Sequence, residues 1–69
     1  MNAHAEAETA TLETELRCLA RTYRRLAFFL DDRNAALRHR TARRLTDILT
    51  NADDIQSRLR HLMDTGHRD

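Results

Sequence analysis

The chain has no proline, one glycine and one cysteine, and all twelve of its basic residues are arginine. Because proline and glycine most often interrupt helices, their scarcity permits long helices. The single cysteine, Cys18, excludes an internal disulfide, and no Cys/His spacing resembles a structural zinc site. Without a glycine-rich loop there is no phosphate cradle of the nucleotide-binding type. We therefore expect no metal, no cofactor and no small-molecule substrate.

Long hydrophobic runs are also missing from the sequence. No apolar run approaches the ~20 residues that span a bilayer, so we expect no contact with a membrane. Residues 1–15 contain acidic side chains but neither lysine nor arginine, which is not the pattern of a signal peptide. These features predict a cytoplasmic protein, in which Cys18 stays reduced.

The length of 69 residues limits the chain to one domain, residues 1–69. A domain of this size buries only about 60% of the surface that its unfolded chain exposes, so its stability is marginal. Small domains gain support from disulfides, metals or association. Because the first two are missing, self-association is the predicted source of additional stability.

Two ladders of apolar residues at helical spacing predict two helices. The first ladder, with spacings of 4, 3, 4, 3 and 4, predicts helix 1 over about residues 9–30, after a frayed start. The second predicts helix 2 over about 34–64, ended by Gly66 as a C-cap, with flexible chain ends. The ladders are Leu12, Leu16, Leu19, Tyr23, Leu26 and Leu30, then Leu37, Thr41, Leu45, Ile48, Ala52, Ile55, Leu59 and Leu62; Leu49 and Met63 broaden the second.

The two ladders are out of phase with each other. If the first helix continued without a break, its apolar face would include Arg40 and Arg44. The second ladder instead uses Thr41 and Leu45, each one residue later. Residues 31–34 also contain aspartate and asparagine, which favour helix N-caps over helix interiors. The sequence therefore predicts a turn at about 31–34 and an antiparallel helical hairpin rather than one long rod.

The apolar stripes are too wide for two helices to cover. Two hairpins packed together cover them, so we predict an all-α hairpin that associates as a homodimeric four-helix bundle. A bundle formed with a different helical protein satisfies the same requirement. The predicted oligomer core consists of Leu12, Leu16, Leu19, Tyr23, Leu26, Leu30, Leu45, Ile48, Ile55, Leu59 and Leu62.

Charge is distributed unevenly along the chain. Residues 1–16 hold four acids and no arginine, whereas residues 17–44 hold nine arginines and two aspartates, a net charge of +7. A hairpin places this segment at its closed end, where it meets the acidic ends of a second copy, an acidic protein or the phosphates of a nucleic acid. The predicted binding surface comprises Arg17, Arg21, Arg24, Arg25, Phe28, Arg40, Arg43 and Arg44.

Two short stretches resemble known families. Arg33-Asn34, followed by His39 after four further residues, resembles the ribonuclease motif of HEPN domains, which implies an arginine and a histidine acting together on a phosphodiester across a dimer. The Leu30-Asp31 turn and the run from Ala52-Asp53-Asp54-Ile55 to Gly66 resemble the plasmid repressor-of-primer (Rop) family. That resemblance implies a hairpin that dimerises antiparallel into a four-helix bundle. The RNA-binding face of that family has basic residues near the start of helix 1, where this chain has glutamates, so no RNA contact is transferred.

The function predicted from these features is that of a small non-enzymatic regulator or adaptor acting through helical-bundle protein–protein interaction. An RNA- or DNA-binding regulator that uses the arginine-rich face near the turn is the first alternative. A HEPN-like ribonuclease is the second. The main prediction includes no catalytic residue.

Overall fold

The structure, a computed structural model, describes residues 3–66 of the chain. It contains helix α1 over Ala3–Ala27, a short 3₁₀ helix over Phe28–Asp31 and helix α2 over Ala35–Gly66. The two long helices contact each other along their length, and residues 3–66 include no strand. The predicted all-α helical hairpin is therefore confirmed.

Helix α1 is longer at its start than the sequence analysis places it. It begins at Ala3 instead of near residue 9. Alanine has the highest helix propensity, and Glu6 in the first turn interacts favourably with the helix dipole. Hydroxyl groups that otherwise compete with the backbone are also accommodated, since Thr9 Oγ1 donates to the Ala5 carbonyl at 2.8 Å. These local preferences sustain helix where little apolar surface is available for burial.

The end of α1 and the start of α2 form a compact connection. The α-helical geometry of α1 ends at Ala27, earlier than the predicted end near 30, and the chain tightens into the 3₁₀ helix. Asn34 then caps α2, because its Oδ1 accepts hydrogen bonds from the amides of Ala36 at 3.0 Å and Leu37 at 3.2 Å. At the other end, α2 continues through Gly66, so the glycine lies within the helix and not beyond it.

The connection is also closed by side chains. Asp32 Oδ1 accepts a hydrogen bond from the amide of Asn34 at 2.9 Å, which is typical of an Asx turn. Arg38 reaches back from α2 and donates through Nη1 to the carbonyls of Asp32 at 2.7 Å and Arg33 at 3.2 Å. These bonds satisfy backbone groups that the turn would otherwise leave to solvent.

The core is a single line of side chains between the two helices. The molecule measures 55 × 14 × 12 Å, so its cross-section is only two helices wide. The buried side chains are Leu12, Thr41, Leu45, Ile48 and Ile55. Within residues 3–66, neither helix has a stretch both long and apolar enough to cross a membrane.

Candidate functional site

The seam between the helices is flanked by one groove on each side of the hairpin. One, which we call the polar groove, is lined by Thr14, Glu15, Cys18, Leu19, Asn51, Asp54, Ile55 and Arg58. The other, which we call the apolar groove, is lined by Leu16, Leu19, Ala20, Tyr23, Arg24, Ile48, Leu49, Ala52 and Gln56. Leu19 contributes to both grooves because it lies in the seam. The two sides of the hairpin therefore present different chemistry.

The apolar groove and the face of α2 beyond it expose large hydrophobic side chains. Leu49 is 55% exposed, and Met63, which lies two heptads further along α2, is 63% exposed. Between the larger side chains lie Ala20 and Ala52. Such small residues allow another helix to approach closely. A helix packed against this groove would thus cover apolar surface that the hairpin leaves in water.

The predicted oligomer core falls into three groups by burial. Leu12, Leu45, Ile48 and Ile55 are buried, whereas Leu30 in the 3₁₀ helix is exposed. The half-buried group comprises Leu16, Leu19, Tyr23, Leu26, Leu59 and Leu62. These side chains are half-buried because they lie at the edge of the interface between the two helices, where only one neighbouring helix covers them.

The arginines of the predicted binding surface are all exposed, but they do not form one patch. Arg24 lines the apolar groove. Arg25 lies seven residues after Cys18, which lines the polar groove, so the helical repeat places Arg25 on that opposite side. Arg17 donates to Thr14 Oγ1 at 3.3 Å along the outer face of α1. The predicted surface is thus divided between two sides and an outer face.

The residues of the HEPN-like motif lie at the connection and in the first turns of α2. Both Arg33 and His39 are exposed. Asn34, the polar residue directly after Arg33, uses its amide oxygen to cap the helix. In the single chain, Asn34 therefore acts as the N-cap of α2.

No group of three or more His, Cys, Asp or Glu side chains among residues 3–66 is arranged to hold a metal ion. Cys18 is an exposed free thiol in the polar groove.

One exposed stripe of α2 lies outside the predicted binding surface. The stripe formed by Leu49, Ala52, Gln56 and Met63 has spacings of 3, 4 and 7, which continue the helical repeat beside the main ladder. From spacing alone, Leu49 and Met63 are interpreted as a broadening of the second ladder. Exposure separates this stripe from the core, since α1 covers Ile48, whereas Leu49 lies about 100° further around α2 and is left exposed.

Comparison of the chain with protein-family models, with curated proteins and with solved structures gave no match.

Proposed function

We propose that this protein acts by binding, as a small regulator or adaptor that associates through a helical bundle, and that a second copy of the chain occupies its apolar groove. The observation that supports this proposal is the exposure of Leu49 in that groove and of Met63 further along the same face of α2. Fully burying a side chain of this kind contributes roughly 1.5–3 kcal/mol. Association therefore supplies stability that a hairpin two helices wide lacks.

A second copy suits the groove because the groove has both ridges and depressions. Leu49 is exposed in the groove and Leu16 is half-buried in it, while the small side chains of Ala20 and Ala52 leave room for a facing side chain. In a two-fold symmetric dimer the same surface is used twice, so each leucine meets the space beside an alanine of the other copy. Two hairpins joined in this way make the four-helix bundle in which wide apolar stripes are covered.

Charges at the edge of the groove favour an antiparallel arrangement of the two copies. Arg24 lines the groove, and Glu13 lies seven residues before the lining residue Ala20, on the same side of α1. The two side chains are separated by about 16 Å along the helix, at 1.5 Å per residue. A two-fold axis midway between them sets Glu13 of each copy beside Arg24 of the other.

The test is the solution mass of the protein with one leucine changed. We expect sedimentation equilibrium at tens of micromolar to give twice the chain mass of 8.1 kDa. Leu49→Glu should give the single-chain mass, because the dimer would bury an unpaired carboxylate. Thr50→Glu adds the same charge at an exposed neighbouring position outside the groove and should remain dimeric.

Two results would contradict the proposal. A wild-type protein that sediments as a single chain would show that a second copy does not occupy the groove. A Leu49→Glu protein that remains dimeric, with its helicity unchanged by circular dichroism, would show that the copies associate through another surface.

A further inference from the structure

Three arginines gather on one side of the hairpin near its closed end. Cys18 and Asn51 lie on opposite walls of the polar groove. A step of seven residues toward the turn leads from Cys18 to Arg25 on α1 and from Asn51 to Arg44 on α2. Because a heptad step returns to nearly the same face of a helix, Arg25 and Arg44 face each other across the continuation of this groove. Arg40 lies one turn beyond Arg44.

This cluster, Arg25 with Arg40 and Arg44, carries three positive charges, and Asp47 lies one turn from Arg44 on the same side of α2. All three side chains are exposed. Within residues 3–66 none of the three guanidinium groups is paired with a carboxylate. Like charges held together on a rigid scaffold create a positive potential that raises the local concentration of anions. Arginine is suited to phosphate in particular, since its planar group donates two parallel hydrogen bonds.

An exposed aromatic residue follows Arg25 at the end of α1. Phe28, in the 3₁₀ helix, is 84% exposed, and it follows Arg25 by three residues. Stacking a solvent-exposed aromatic ring on a planar group is energetically favourable. Unpaired nucleic-acid bases provide such planar groups whatever their sequence. Bases in a duplex are stacked on one another, so an exposed ring favours a single strand.

We propose that the closed end of the hairpin binds single-stranded nucleic acid, with phosphates on Arg25, Arg40 and Arg44 and a base stacked on Phe28. Arg40 and Arg44 are separated by about 6 Å along α2, which allows each to contact a different phosphate of an extended strand. The cluster lies on the side opposite the apolar groove. Binding there is therefore independent of the pairing proposed above and leaves the groove available.

The first test measures binding of a fluorescein-labelled 20-nucleotide oligouridine by fluorescence anisotropy over a series of salt concentrations. Arg25→Gln with Arg44→Gln should weaken binding at least about tenfold and reduce the slope of log K against log salt by about 1.4, for two phosphate contacts on a single strand. Arg17→Gln with Arg60→Gln removes the same charge from exposed positions that do not line the polar groove and should change the affinity less than about threefold.

Equal losses in these two double variants would overturn the proposal, since they would show that net charge alone attracts the RNA. Glutamine is a good helix former, so both variants should keep the circular dichroism spectrum of the wild type. That spectrum separates loss of binding from loss of fold.

The second test addresses the stacked base. Phe28→Leu keeps the apolar bulk at an exposed position but removes the ring, and it should weaken oligouridine binding about tenfold. Poly-glutamate should compete poorly with the RNA. If Phe28→Leu binds as well as the wild type and poly-glutamate competes as well as unlabelled RNA, the closed end is a site for acidic protein and the proposal is wrong.

Discussion

Leu45 and Leu49 lie one helical turn apart in α2, yet their surroundings differ sharply. Leu45 is 5% exposed and Leu49 is 55% exposed. The spacing of the ladder correctly identifies Leu45 as a seam position. The spacing does not show how much of the surface of α2 is covered by α1, and that extent decides whether Leu49 is buried. Residue type and period together therefore predict the centre of the core better than its edge.

Leu45 lies in a narrow core, so truncating its side chain should lower the free energy of unfolding. Leu45→Ala should lower the free energy of unfolding by about 2–5 kcal/mol, because it removes buried apolar contacts and leaves a cavity. Urea denaturation followed by circular dichroism measures this change, and a chain that is already unfolded without urea agrees with the upper part of the range.

The control for this truncation is Phe28→Ala, which removes a larger side chain from a position that is 84% exposed. It should change the free energy of unfolding by less than about 0.5 kcal/mol. Similar losses in the two variants would show that burial in the seam does not decide stability.

At the scale of the elements, the connection between α1 and α2 illustrates which features the sequence carries. The phase difference between the ladders and the capping character of Asn34 predict where α2 starts, and the structure caps that helix with Asn34. The bond from Arg38 back to the Asp32 carbonyl was not predicted. It joins residues six apart through a long side chain with many rotamers, and neither spacing nor propensity selects that conformation.

The cap should make a measurable contribution to stability. Asn34→Ala leaves the amides of Ala36 and Leu37 without their side-chain acceptor and should cost about 1 kcal/mol in the free energy of unfolding. Asn51→Ala, in the interior of α2, should instead be neutral or slightly stabilising because alanine is the better helix former. Thermal denaturation of the two variants compares them directly, and equal shifts in Tm would argue against the cap.

At the scale of the whole molecule, the sequence predicts the hairpin. The side of the hairpin on which each exposed arginine lies follows only from the structure. A continuous stretch such as residues 17–44 appears as a single basic segment in the sequence. Folding places Arg24 at the apolar groove and Arg25 toward the polar one. Neighbours in the chain differ by about 100° around a helix, so a charge total along the sequence says little about which surface carries it.

The proposed antiparallel pairing of two copies is tested by exchanging the charges at its edge. Glu13→Arg alone and Arg24→Glu alone should each weaken the dimer, since each places like charges together. The double exchange should restore much of the wild-type dissociation constant, measured by sedimentation. A double variant weaker than either single variant would indicate that the copies do not bring these positions together.

The two-helix seam also has a consequence for how the chain folds. Contacts near the connection join residues close in sequence, whereas contacts at the other end join residues separated by most of the chain. Because closing a short loop costs less entropy, helix pairing should start at the turn and extend toward the open end. The first contacts to form bring Arg25 toward Arg44. The two positive charges repel each other, and dissolved ions screen that repulsion. The folding rate should therefore increase with ionic strength.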